Sequence, residues 1–208
     1  ALKQYAVTFV ENHDMQDRGT TNGYTPDPLR RDTLAANAFL LAMPGTPCVF
    51  LPHWKDYKQE IKAMIDVRNA LGIHNTSAFT QVMALTQRFA VQVEGTNGNL
   101  IAAVGPTANK YYAPADYVEI LSGYHYRYFA SKSSEMAFAD KASGKYDAAI
   151  QVRLTAASND ANAQIVYTLD GSTPTASSAK VASGTLIDIA TSATLTFGLL
   201  SNGVVKGI

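Results

Sequence analysis

Residues 6–10, Ala-Val-Thr-Phe-Val, form an almost unbroken apolar and β-branched run, and Glu11, Asn12, His13 and Asp14 follow it at once. A strand covered on both faces has this composition, as the strands of a parallel sheet do. In α/β barrels the C-terminal ends of the strands open onto one concave face, where catalysis sits. Carboxylate, amide, imidazole and carboxylate at such an end are therefore candidate site residues. The competing account of Asn12-His13-Asp14 is a polar turn that only meets solvent.

A second unit of the same kind follows. Residues 15–28 are rich in Gly, Thr, Asn, Asp and Pro and predict a long loop. Asp27 is placed to cap a helix that starts at Pro28 and runs through Leu34, Leu40 and Met43 to Pro44-Gly45. Residues 46–51 predict a second short strand, which delivers His53 and Trp54 at its C-terminal end. Tyr57, Ile61, Met64, Ile65 and Leu71 then share one face of a second helix that stops at Gly72. Strand, helix, strand, helix is two steps of a parallel α/β architecture. Two strands do not make a stable parallel sheet covered on both faces, so residues 1–77 require further chain.

The pattern changes near residue 78. Strands are predicted at 79–83, 88–94, 100–104, 117–121 and 124–129, with a hairpin turn at Gly95-Thr96-Asn97-Gly98-Asn99. Residues 78–130 thus form a small antiparallel β domain. Residues 131–147 lack periodicity and are expected to be a linker. Residues 148–208 carry alternating segments at 150–154, 164–169, 185–189 and 193–199, the expectation for a small Ig-like β-sandwich. The last six residues open one more strand. The fold class is α/β followed by all-β.

A hydrophobic content of 47% against 16% charged residues marks a core-forming chain rather than a disordered one. Seventeen basic and seventeen acidic residues cancel, which removes the electrostatic case for nucleic acid or an anionic membrane surface. No apolar run reaches membrane-spanning length. Cys48 is the sole cysteine, so an intrachain disulfide and a multi-cysteine zinc cluster are excluded. Its apolar surroundings predict a buried thiol. The sequence opens at Ala1 without an initiator Met or a signal peptide, and a piece of a larger protein, or a processed product, is expected.

Phe9-Val10-Glu11-Asn12-His13-Asp14 resembles the last catalytic segment of the α-amylase family of glycoside hydrolases, which closes the seventh strand of a (β/α)8 TIM barrel. Pro44-Gly45-Thr46-Pro47-Cys48-Val49-Phe50 resembles the eighth. Residues 45–77 are similar to plant-type α-amylases through that run, His53, Glu60-Ile61, Arg68 and Gly72-Ile73-His74-Asn75-Thr76-Ser77. The segment up to about residue 106 is similar to their compact C-terminal sheet domain. Ile165-Val166-Tyr167-Thr168-Leu169-Asp170-Gly171-Ser172-Thr173-Pro174-Thr175 resembles a repeat found at the C-termini of chitobiase and hexosaminidase enzymes.

The resemblance implies a retaining glycoside hydrolase acting on α-1,4-glucans (starch, glycogen and maltooligosaccharides). Asp14 then matches the third catalytic carboxylate, which stabilises the oxocarbenium-like transition state, and His13 the histidine that binds the same sugar. Asn12 orients these neighbours or serves as a turn residue. His53 and Trp54 either line a substrate subsite or pack over the barrel mouth. The tyrosines at 111, 112, 117, 124, 126 and 128 either form a sugar platform or reflect β structure. In the family the nucleophile and acid follow the fourth and fifth strands, and this chain has neither, so the isolated chain is expected to be inactive. No metal ligand or cofactor is implied in this chain. Calcium is implied in the full-length enzyme. The implied partners are an α-glucan, without nucleic acid or membrane span, and either the missing N-terminal barrel portion or self-association to complete the two strands. The location implied is extracellular, periplasmic or on a bacterial cell surface. An alternative of another class is a non-catalytic carbohydrate-binding or spacer protein in which Asp14 is a relic.

Overall fold

The computed structural model describes residues 3–16, 29 and 31–207. The expected cap at Asp27 and helix start at Pro28 lie outside the described residues. Strand β1 (Val7–Thr8) runs to helix α1 (His13–Gln16), then α2 (Thr33–Ala42), β2 (Thr46–Pro47), α3 (Leu51–Asp56) and α4 (Lys58–Leu71). The two strands pair in parallel, Val7 opposite Thr46 and Thr8 opposite Pro47. Thr46 N donates to Ala6 O at 2.9 Å and Cys48 N to Thr8 O at 2.8 Å. Pro47 lies between these donors with its nitrogen on the other side, so its missing N–H costs this ladder nothing.

Strand, helix, strand, helix was expected; the structure adds the short helices α1 and α3, and the first strand covers only Val7–Thr8 of the predicted run 6–10. The second strand stops at Pro47, and Leu51 already opens a helix. The described residues form two short strands of a parallel sheet and not a closed barrel. Val7 is consequently 63% and Phe9 52% exposed. Cys48, expected to be buried, is exposed for the same reason, since no further described strand pairs with β2.

Helix α2 is buried almost all round, with Ala35, Ala38, Leu40, Leu41 and Ala42 in the core. Helix α4 is amphipathic. Ile61, Met64, Val67 and Leu71 point inward, while Lys62 and Asp66 pair outside at 3.3 Å. Gly72 (φ 68°) ends α4 in the left-handed region, and Ile73 N donates to Arg68 O at 3.0 Å across the reversal. Arg68 is buried against α2. Its Nη1 donates to Leu41 O at 2.7 Å and Met43 O at 2.6 Å, and its Nη2 to Gly45 O at 3.0 Å. These bonds fasten α4 to the C-terminal end of α2 and to the turn into β2. Burial lowers the guanidinium pKa, with Tyr128 acting in the opposite sense.

The five-stranded antiparallel sheet consists of β3 (Phe79–Leu85), β4 (Arg88–Gly95), β5 (Gly98–Val104), β6 (Tyr117–Gly123) and β7 (Tyr126–Ser131), in the order β3-β4-β5-β7-β6. Thr96-Asn97 makes a two-residue turn between paired Gly95 and Gly98. The turn is tucked under α4, with Asn97 N donating to Leu71 O at 3.0 Å. A Cβ at Gly95 would run into that same Leu71 carbonyl, which accounts for the glycine. One core joins helices to sheet: Leu41, Ile61, Met64 and Leu71 meet Val91, Leu100, Tyr126 and Tyr128. The Tyr128 hydroxyl donates to Ala38 O inside it. Tyr111, Tyr126 and Tyr128 are core residues, whereas Tyr112 and Tyr124 are exposed, so the six tyrosines do not form one platform.

The remaining strands are β8 (Met136–Ala139), β9 (Ile150–Ala157), β10 (Gln164–Thr168), β11 (Ala179–Val181), β12 (Thr185–Ile189), β13 (Thr196–Ser201) and β14 (Val204–Lys206). They form two sheets, β12-β9-β8 and β11-β10-β13-β14, around Val152, Leu154, Ile165, Ile187 and Leu199. Strand β8 falls within the expected linker. Glu135 secures the entry to this unit: its carboxylate accepts from Ser158 Oγ at 3.0 Å, Asn159 N at 2.9 Å and Lys206 Nζ at 3.3 Å. Burial raises its pKa, but these donors outweigh burial and hold the group below its ordinary 4.5. A carboxyl lowered on folding stabilises the fold above its unfolded pKa and loses that contribution as pH falls through the folded value. Glu135→Gln is therefore expected to flatten the fall in melting temperature between about pH 6 and pH 3. Thermal unfolding at both pH values checks this, and an unchanged slope would exclude Glu135 as a source of acid lability.

Candidate functional site

The site begins where β1 ends. Asn12 Oδ1 accepts from Met15 N at 3.1 Å, capping the single turn of α1. Asn12 thus serves as a turn residue satisfying a backbone donor. His13 and Asp14 stand out from this turn with side chains 85% and 66% exposed, His13 Nε2 lying 3.2 Å from Asp14 Oδ1. Both are exposed, in a turn that opens five residues after the last residue of β1.

Glu11 points the other way. It is 2% exposed and His53 only 4%. His53 Nε2 lies 2.5 Å from Glu11 Oε2, and Glu11 Oε1 accepts from Leu29 N at 3.2 Å. On the far side of the imidazole, Asn37 Nδ2 lies 3.1 Å from His53 Nδ1 and donates to Thr33 O at 2.8 Å. Each of the two Asn37 amide hydrogens then has one acceptor, which makes Nδ1 the acceptor and leaves the proton on Nε2, facing Glu11. Reversing the amide would set its oxygen against the Thr33 carbonyl, so Asn37 Oδ1 is left buried without a hydrogen-bond partner among the described residues. Phe50 packs edge-on against the imidazole at 5.4 Å. Three segments, after β1, within α2 and in α3, are pinned together beneath the His13–Asp14 turn.

Of the two expectations for His53, its burial agrees with packing rather than a subsite. Its ring nitrogens are committed to Glu11 and Asn37 rather than presented to a substrate. Trp54 is half-buried against the helix and sheet core, with Lys58 Nζ 5.8 Å from its ring centre, a packing role. Asn12, His13 and Asp14 are brought together, and His53 lies beneath them. The sequence marked Glu11 only as one of four polar residues after the strand, without its buried role, and did not mark Asn37. Their signals were a carboxylate directly after an apolar strand and a lone amide inside an apolar helix. Asp32, next to α2, directs its carboxylate to His125 Nδ1 at 2.5 Å instead of capping the helix. Among the described residues, no group of three His, Cys, Asp or Glu could hold a metal ion.

Comparison with known proteins bears on both halves. Residues 141–204 match the family model of the Chitobiase/beta-hexosaminidase C-terminal domain. The chain is 36% identical over 103 residues to the alpha-amylase type B isozyme of Hordeum vulgare, covering 49% of this chain and 63% of that protein. It is 34% identical over 109 residues to the glucan 1,4-alpha-maltotetraohydrolase of Stutzerimonas stutzeri, covering 49% of this chain and 19% of that one. A gamma-CGTase from Alkalophilic bacillus clarkii aligns with 96% of this chain and 37% of its own at 15% identity and a TM-score of 0.43. The chain is thus similar to α-amylases over about half its length and carries a segment like the C-terminal domain of chitobiase and β-hexosaminidase. It spans less than two-thirds of the length of these curated relatives.

Proposed function

We propose that the chain is part of a retaining glycoside hydrolase acting on α-1,4-glucans. The observation that carries this reading is the His13–Asp14 pair, exposed in the turn that follows a parallel strand and backed by the buried Glu11–His53 contact. The names of its relatives supply the substrate class. In such a site the Asp14 carboxylate accepts hydrogen bonds from hydroxyls of the distorted sugar and faces the positive charge that grows on the ring. His13 binds the same sugar. Both contacts strengthen as charge develops, so they raise the rate of the chemical step rather than only the affinity.

A retaining mechanism also needs a nucleophile and an acid about 5–5.5 Å apart. Neither is assigned within this sequence, and the chain by itself does not turn over glucan. Further barrel strands, in the same polypeptide or in a partner, cover the exposed Tyr5, Val7, Phe9 and Leu51. The reading assigns calcium to the full-length enzyme and not to a residue of this chain. The resemblance and the accessory segment at 141–204 support an extracellular, periplasmic or bacterial cell-surface location. The test is to read the encoding gene upstream of Ala1 and assay both products on maltoheptaose. The reading expects six further strands with two carboxylates, reducing ends released by the longer product, and none by the 208-residue chain. Hydrolysis by the short chain, or an upstream sequence without those carboxylates, would overturn it.

A further inference from the structure

A cleft of about 660 Å³ lies where α4, β6 and the β12-β9-β8 sheet meet, and none of its lining residues belongs to the His13–Asp14 turn. That volume is of the size that holds small ligands, and junctions between structural units are common places for them. Its floor is apolar, formed by Ala63, Leu121 and Ala142, all buried in the helix and sheet core. Its walls are polar and nearly balanced in charge, with Glu60, Glu119 and Asp140 against Lys141 and Arg153. Two of the carboxylates are already engaged: Glu119 with Arg127, and Asp140 with the Arg153 backbone N–H at 2.8 Å.

These properties select a ligand class. An anion would meet more carboxylates than cations, and an apolar ligand would strip water from charged walls at a cost. A neutral polyhydroxylated ligand needs what the walls supply: carboxylate, guanidinium and amide groups that exchange hydrogen bonds with hydroxyls, and a flat apolar ring for its C–H faces. The ring is that of Tyr146, held by its hydroxyl donating to Ala142 O at 2.7 Å. The amide is that of Gln59. Its Oε1 is buried without a hydrogen-bond partner among the described residues, and its Nε2 reaches Lys145 O at 3.4 Å.

We propose that this cleft binds a neutral oligosaccharide, as a non-catalytic site that ties carbohydrate to the junction between the helices, the five-stranded sheet and the sandwich. The proposal does not depend on turnover or on the role of Asp14. Calorimetric titration of the 208-residue chain with maltoheptaose, and separately with chitohexaose, is expected to give a dissociation constant of roughly 1 mM or tighter for at least one of them. Tyr146→Ala and Arg153→Ala are each expected to weaken that binding about fivefold or more. Tyr146→Phe, which keeps the ring, and Lys180→Ala, on an exposed strand of the opposite sheet, are expected to retain it. Unfolding midpoints measured alongside confirm that each variant is folded. No heat of binding with either sugar, or binding unmoved by both alanine substitutions, would overturn the proposal and leave the hydrolytic reading standing. Conversely, a cleft that binds sugar in a gene product without hydrolase activity would support the proposal while removing that reading.

Discussion

Replacing Arg68 by Met is expected to cost about 3–5 kcal/mol of stability, since three carbonyls, two of them buried and one part-buried, lose a charged donor. Leu41, Met43 and Gly45 sit at the end of α2 and in the turn leading to β2. At that position a helix exposes carbonyls with no intrahelical partner and carries negative partial charge, so a buried cation there is doubly favourable. The apolar stem of Met fills the space but satisfies none of the oxygens. In a chain of this size the loss corresponds to a fall in melting temperature of roughly 10 °C. Arg68→Lys is expected to recover less than half, because one ammonium on a flexible stem cannot address three carbonyls set around a planar fork. Denaturant titration followed by tryptophan fluorescence reads the loss near the site, since Trp54 is the only tryptophan and packs against the same core. A Met variant within about 1 kcal/mol of the parent would show that the carbonyls find other partners.

Glu11→Ala carries the second large effect. It leaves the buried His53 Nε2 and the part-buried Leu29 N without their acceptor, and about 3 kcal/mol is expected to be lost. Glu11→Gln keeps the shape but turns an N–H toward one of those donors, and about half of that loss is expected. The two-site cycle of Glu11→Ala with His53→Ala should show a coupling above about 1 kcal/mol, since each residue is the other's buried partner. Hydrogen exchange in residues 11–16 should speed up in either single variant while that of the distant β9–β10 region stays as it was. Additive losses would mean that the two groups act separately and that the His13–Asp14 turn is held by something else.

The legible parts of the fold were those where local chemistry decides. The turn at Gly95-Thr96-Asn97-Gly98 and the alternation around Phe89-Ala90-Val91-Gln92-Val93 fix the β4–β5 hairpin almost residue by residue. Gly72 ends α4 as a helix stop should. Elements that depend on distant partners were harder. Met136–Ala139 is alanine-rich and weakly patterned, and becomes β8 because β9 offers it an edge. Residues 46–51 have the composition of a buried strand, but Leu51 finds no sheet around it and enters a helix. Cys48 is exposed by the same lack of neighbours.

The candidate site divides in a similar way. The order of Asn12, His13 and Asp14 after an apolar run was visible, as was their place in the turn that follows a parallel strand. The burial of Glu11 was not, because its partner lies 42 positions away and the two meet only when β1 and β2 pair. For that reason His53, placed by sequence on the open face, turns inward, and the polar groups that present Asp14 lie under the site rather than in it.

The most direct measurement is steady-state hydrolysis of an α-1,4-glucan by the gene product that joins this chain to a nucleophile and an acid, with Asp14→Asn compared against the parent. The account predicts that kcat and kcat/KM fall together by about 100-fold or more, with KM and the unfolding midpoint nearly unchanged, as for a contact made chiefly in the transition state. A folded Asp14→Asn enzyme with the parent's kcat would contradict it.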